Sequence, residues 1–143
     1  MKIKNIIAIV ALALLVGACA NKQALVMAPD TEPGDQLKPE YVIGDWCTNR
    51  DLTSQANKDA GHSALSNLSP HYWRFSNGGS WQNAESGWLY SDYGEWQLEG
   101  LNTMILARTE ADPRRYQANF KNEGKDLYLT DDEDKFLVLS RCE

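Results

Sequence analysis

The sequence predicts an all-β fold: a small antiparallel up-and-down barrel of about eight strands, closed by one disulfide. Three observations point there. From Tyr41 onward, short segments alternate apolar with polar residues, as half-buried strands do. Tight-turn signals divide them at roughly ten-residue spacing, the rhythm of a barrel or sandwich. Finally, "GDWC" at residues 44–47 is matched by "RCE" at residues 141–143, so a Trp-Cys pair opens the region and an Arg-Cys pair ends it.

The first segment stands outside this fold. In "MKIKNIIAIVALALLVGAC", Lys2 and Lys4 precede an apolar run from Ile6 to Val16. The run is too short for a stable membrane span and has the length of the apolar part of a signal peptide. It closes on Val16-Gly17-Ala18-Cys19, which resembles the lipobox of bacterial lipoproteins. That resemblance implies removal of residues 1–18 and acylation of Cys19, palmitate included. Ala20 in place of Asp implies an outer-membrane destination, with the domain facing the periplasm. The alternative is an ordinary secretory signal with a chance cysteine. Loss of residues 1–18 takes two lysines and leaves a chain more acidic than the −6 of the full sequence. Such a chain lacks the basic surface that nucleic-acid binding needs. Its membrane partner is expected through the N-terminal lipid alone.

Residues 19–40 read as a lipid-attached tether. They carry three prolines, mixed charge and no sustained periodicity. Packing of Leu25, Val26 and Met27 on the domain is the alternative. The barrel is expected over residues 41–143.

Within it, "GDWCTN" is the first strand. "HYWRFS" (71–76) alternates Trp73 and Phe75 against Tyr72 and Arg74, and "NGG" (77–79) is a hairpin turn into a third strand at "SWQN". "YGEWQLEG" (93–100) alternates Trp96 and Leu98 against Glu95 and Gln97. "TMILAR" (103–108), "RYQANFKN" (115–122), "DLYLT" and "KFLVLSR" complete the set, the last two divided by the acidic turn Asp131–Asp134. Residues 50–70 are long for a hairpin loop and are expected to hold a short helix or form a flap, a kind of connection that often carries function.

Cys47 and Cys142 form an even pair in an oxidising compartment, where a disulfide is expected. Two free thiols or a metal pair are the alternatives. In a barrel with an even number of strands, the first and last strands are antiparallel neighbours. Trp46-Cys47 then lies beside Arg141-Cys142. Side chains alternate faces along a strand, so cysteines meeting on one face place Trp46 and Arg141 together on the other. The guanidinium would cover the indole, worth about 0.5–2 kcal/mol.

Gly44-Asp45-Trp46 on the first strand, with Arg141 at the end of the last, resembles the signature of the calycin superfamily, the lipocalins and their relatives. The resemblance implies that Gly44, Trp46 and Arg141 close one end of the barrel. The domain is shorter than a true lipocalin and is similar to the small lipocalin-like domains of bacterial lipoproteins. Periplasmic protease inhibitors, also small barrels with one disulfide, are a second likeness with a different cysteine placement.

No motif calls for a cofactor. "GHSAL" (61–65) lacks the second glycine and the strand-turn-helix setting of a nucleophile elbow. His62 and His71 have no cysteine ligand nearby, so no metal site is expected. "DDED" (131–134) lacks the alternation of a calcium loop and reads as a solvated turn. Carboxylate pairs such as Glu95 with Asp92 sit among aromatics, and nothing singles them out for acid–base work. Trp73, Trp81 and Trp96 read as core. "GWLYSDYG" (87–94) reads as a hairpin tip or rim carrying Trp88, Leu89 and Tyr90. Together these features predict a non-enzymatic binding module. It would hold a small apolar or amphipathic ligand at the barrel mouth, with His62, Trp88 and Tyr90 as contacts. The alternative is a protein-protein module, an inhibitor or envelope assembly factor acting through loops and rim. A hollow interior would favour the first and an interior closed by indoles the second.

Overall fold

The structure, a computed structural model, describes residues 25–63, 70–85 and 90–143, with the backbone alone at 90 and 91. Its strands are β1 (Gly44–Thr48), β2 (Tyr72–Phe75), β3 (Ser80–Ala84), β4 (Tyr90–Glu99), β5 (Thr103–Arg108), β6 (Ala111–Lys121), β7 (Asp126–Thr130) and β8 (Phe136–Arg141). Each pairs antiparallel with the next, and β8 returns to β1, closing the barrel. The 3₁₀ turn Pro39–Tyr41 precedes β1, and helix α1 (Arg50–Asp59) follows it.

The closing seam has the register that its residues require. Trp46 stands opposite Arg141, and Cys47 opposite Ser140. Cys142 continues past β8, its N–H donating to the Asp45 carbonyl, and is bonded to Cys47 with Cα atoms 5.1 Å apart. The disulfide is therefore diagonal, on the outer face. On the inner face the Arg141 guanidinium lies 3.8 Å above the Trp46 ring. It donates to the carbonyls of Ile43 and Tyr41, 2.8 Å each, while the indole N–H donates to the Val42 carbonyl. Burial pulls the Arg141 pKa down to about 10, against the opposing pull of Asp45, so the group is still cationic at neutral pH. Gly44 makes room for it. A Cβ there would sit 2.5 Å from Arg141 Nη1, and Gly44 has a φ of +127° that side chains disfavour.

The N-terminal segment crosses this end of the barrel rather than hanging free. Ala28, Leu37 and Val42 are buried. Thr31 exchanges two hydrogen bonds with the Phe120 backbone, and Leu37 N–H donates to the Leu101 carbonyl. The expected tether through residue 40 is thus corrected over its described part: from Ala28 onward it is bound to the barrel. Apolar residues spaced too widely to show a period seal the end.

Indoles and phenyls fill the interior above this seal. Trp73 stacks on Phe75 and leans on Trp81, Phe75 meets Trp96 edge-on, and Trp46 meets Phe120. Each of the four described indoles donates its N–H to an acceptor inside the fold, which allows a tryptophan to be buried without loss. Trp81 reaches across β4 to the Ala107 carbonyl on β5, and Gly94 leaves the passage: a Cβ there would lie 1.8 Å from that carbonyl.

Two differences from the sequence reading have local causes, and the long connection takes the first of its two expected forms, a short helix. β4 begins at Tyr90 rather than near Tyr93, because a bulge lets Tyr90 pair with Ala84 while Asp92 pairs with Asn83. β6 begins at Ala111, and its bulge takes up Pro113, which has no N–H to give the ladder. Residues 50–59 form helix α1, capped by the Asn49 side chain accepting from Leu52 N–H. Its buried residues are polar. Asn49 N–H donates to the Val138 carbonyl, the Thr53 hydroxyl accepts from Val138 N–H, and the Asn57 amide both donates to the Phe136 carbonyl and accepts its N–H. β1 is too short to pair with this part of β8. The Asn49, Thr53 and Asn57 stripe, one turn apart, stands in for the missing strand.

Arg141→Ala is expected to lower stability by about 2–4 kcal/mol, since it removes the stack and strands two buried carbonyls. Arg141→Lys should recover less than half, because an ammonium neither stacks nor forks. Urea midpoints at fixed m-value check both. Asn57→Leu is expected to cost about 1–3 kcal/mol by orphaning the Phe136 backbone groups. Hydrogen exchange should speed up at the Phe136 amide in that variant while the β4–β5 amides keep their protection.

Candidate functional site

Strand direction divides the barrel's ends. The sealed end holds the N-terminal segment and the turns β2–β3, β4–β5 and β6–β7. The far end holds the connection bearing α1 and the turns β3–β4, β5–β6 and β7–β8. The long connection and the β3–β4 turn therefore share one end, as the alternation of strands requires.

Inward parity continues toward the far end beyond the last apolar residue of three adjacent strands. Asn83 follows Trp81 on β3, Asp92 precedes Gly94 and Trp96 on β4, and Arg108 follows Met104 and Leu106 on β5. These three side chains form a polar corner over the Trp81 indole. Arg108 Nη1 donates to Asp92 Oδ2 at 2.8 Å, and the other Asp92 oxygen accepts from Tyr93 N–H. The ion pair is partly open to solvent, with side chains 26% and 34% exposed. Asn83 is 5% exposed, yet its Oδ1 has no hydrogen-bond partner, and neither has the buried Arg108 Nε. A buried polar atom left unpaired costs about 1–3 kcal/mol. Here an acceptor and a donor are left so in one corner.

Of the predicted rim residues, His62 falls away from this corner. His62 lies just beyond α1, its backbone N–H donating to the Asn57 carbonyl. Its Nε2 is buried and unpaired. That places it on the β8 side, across the barrel from the polar corner. Tyr90 opens β4 at the far end, its backbone paired with Ala84 beside the Asn83–Asp92 pair. Trp88 lies outside the described residues. Asp92 and Glu95 are an odd number of positions apart on β4 and face opposite sides of the sheet, so they are not a catalytic pair.

The remaining candidates have structural roles. His71 meets Arg50, whose Nη2 lies 3.1 Å from its Nε2. In the acidic turn, Asp131 Oδ1 accepts from the N–H groups of Glu133 and Lys135, closing the turn on itself. Among the described residues no three His, Cys, Asp or Glu side chains gather as metal ligands would. Two of the grooves on the surface of the described residues bear on binding. One, of about 390 Å³, runs between α1 and the sheet and is lined by Leu52, Ala56, Lys121, Tyr128 and Phe136. Lys121 lies over the Tyr128 ring, whose hydroxyl pKa is raised by burial and by Asp126. The other, of about 450 Å³, lies outside β4 and β5 beside Tyr93, which is 68% exposed.

Sequence reasoning passed over Asn83 and Arg108, and took Asp92 only as half of a pair. The available signal was parity: each sits two residues beyond an inward apolar or glycine position at the same end of its strand. No family model, curated protein or solved structure matches this chain, so the site is read from its own geometry.

Asn83→Leu is expected to raise stability by about 1 kcal/mol, because it replaces an unpaired buried amide with a side chain of similar volume. A thermal melt of the two proteins checks it.

Proposed function

We propose that this chain is a lipid-anchored binding module of the bacterial cell envelope, a small lipocalin-like barrel without enzymatic activity. It holds a small amphipathic ligand by its polar head at the end far from Arg141. The observation that carries the reading is the pair of unpaired buried atoms, Asn83 Oδ1 and Arg108 Nε, beside the half-open Asp92–Arg108 ion pair. A ligand head that both donates and accepts, such as an amide or a hydroxylated acid, would satisfy both. The Trp81 indole beneath offers an apolar floor for the adjoining part of the ligand. The packed rings below Trp81 limit it to a shallow seat, so the ligand's apolar part lies along the rim rather than down the barrel axis. The lipobox-like series ending at Cys19 supports the envelope location, and the calycin-like set Gly44, Trp46 and Arg141 supports the barrel type.

A protein-protein module is the second reading. It is favoured by the filled interior and by exposed Tyr93 beside the outer groove, since aromatic side chains supply contact area at low entropic cost.

Native mass spectrometry of protein beginning at Ala20, mixed with envelope lipid extract, tests the first reading. Bound adducts are expected. Arg108→Met and Asn83→Leu should each weaken them at least tenfold, a loss of about 1.4 kcal/mol. Equal binding by all three proteins, or none by any, overturns the assignment of ligand to this corner. If Tyr93→Ala alone abolishes capture of a partner protein from periplasm, the second reading replaces it.

A further inference from the structure

The large apolar side chains that remain exposed are concentrated at one end. Leu25, Val26, Met27 and Leu101 are 57%, 40%, 41% and 54% exposed, and only Tyr93 among the described large apolar residues joins them elsewhere. Leu25 lies against Gly44 and Arg141 at the sealed end. Leu101 is in the β4–β5 turn, its carbonyl held by Leu37 N–H at the same end. Three consecutive apolar side chains thus leave the barrel surface where the chain itself leaves it, immediately before Ala28 is buried. A soluble domain that seals its own base with Ala28, Leu37 and Val42 gains nothing from showing Leu25–Met27 to water. Such a patch marks a surface that meets another apolar phase.

The chain's path identifies that phase. Only residues 20–24 separate Leu25 from Cys19, a span of at most roughly 20 Å even when fully extended. An acylated Cys19 therefore holds Leu25 within reach of the bilayer surface. We propose that the sealed end of the barrel rests on the lipid surface, with Leu25, Val26 and Met27 seated in the interfacial layer and Leu101 beside them, so that the far end and its polar corner face away from the membrane. This rests on the lipoprotein reading. The acyl chains supply the affinity, and the apolar patch sets the orientation. Ionic attraction contributes little, since Lys38 and Lys125 at this end are matched by Glu40, Glu123 and Asp30. The partner is accordingly the lipid surface itself, not a particular anionic headgroup.

The test uses the full chain, processed in cells and reconstituted into phosphatidylethanolamine–phosphatidylglycerol vesicles that carry a headgroup quencher. A fluorescent non-natural residue is placed at exposed Lys125 in the β6–β7 turn or at exposed Asp132 in the β7–β8 turn. Severalfold stronger quenching at Lys125 than at Asp132 is expected. The difference should vanish in the Leu25→Ser, Val26→Ser, Met27→Ser triple variant while its melting midpoint is kept. Equal quenching at both positions, or a difference that survives the triple variant, overturns the orientation although acylation stands. Energy transfer between Lys125-labelled copies in lipid-free detergent overturns it in favour of a second copy of the chain. An intact mass without acyl groups on Cys19 overturns the lipoprotein reading, and the proposal with it.

Discussion

The seam between β1 and β8 is the constraint on which the rest of this barrel depends, and it is held by one side chain from each terminus. Arg141 arrives at the end of the last strand, stacks on Trp46 of the first, and ties the carbonyls that lead into β1. Burying a guanidinium is costly, as its lowered pKa records. The cost is offset because the group meets a π face and two carbonyls that would otherwise lie unpaired beneath the N-terminal segment. The disulfide acts on the same seam from outside, closing a loop of 95 residues and restricting the unfolded chain more than it shapes the folded one. Stack and disulfide share one register. Shifting β8 by one residue would turn Arg141 outward and carry Cys142 out of reach of Cys47.

Closure at one end creates a deficit at the other. β1 has five residues and stops before β8 does, leaving the Phe136 and Val138 backbone groups on an open edge. Exposed edges invite pairing with other chains. α1 covers this one with Asn49, Thr53 and Asn57, a polar stripe at helical spacing whose partners are backbone atoms rather than apolar side chains. The helix is therefore fixed by hydrogen bonds to one strand. This explains why a ten-residue helix of low apolar content is stable here, where propensity alone would leave it marginal.

These two ends were unequally legible in the sequence. The seam was readable because parity and chain order alone bring Trp46 to Arg141, and because glycine, tryptophan and cysteine have few reasons to stand so close. The strand set was readable for the same reason, wherever an inward apolar residue alternated with a polar one. α1 was legible only as one of two options for the long connection, and its bounds were not, because its buried face is polar, which removes the apolar period by which a helix is recognised. The sealing segment was hidden because Ala28, Leu37 and Val42 follow no period at all. Of the site, the end of the barrel was legible from strand direction, but its residues were not. Asn83 and Arg108 look like ordinary polar residues closing their strands until the bulge at Tyr90 and the passage at Gly94 fix which face they occupy.

The same packing that stabilises the barrel restricts what it can bind. A domain of this size buries a modest core, and filling it with tryptophans is an effective way to gain stability from few residues. Four described indoles interlock or hydrogen-bond across the interior, so the barrel cannot also be a deep cup. Ligand chemistry is pushed to the level above Trp81, where apolar filling ends and the inward positions become Asn83, Asp92 and Arg108. At that level the usual rule of pairing every buried polar atom is broken twice within one corner, although Asp92 is close enough to satisfy Arg108 in part. Each described indole N–H follows the rule, whereas Arg141 Nε at the sealed end and His62 Nε2 beyond α1 are each left unpaired singly. A donor and an acceptor left unpaired together, on the inner face of the far end and beside a partly solvated ion pair, are the pattern expected where the missing hydrogen bonds are to be made by something that comes and goes.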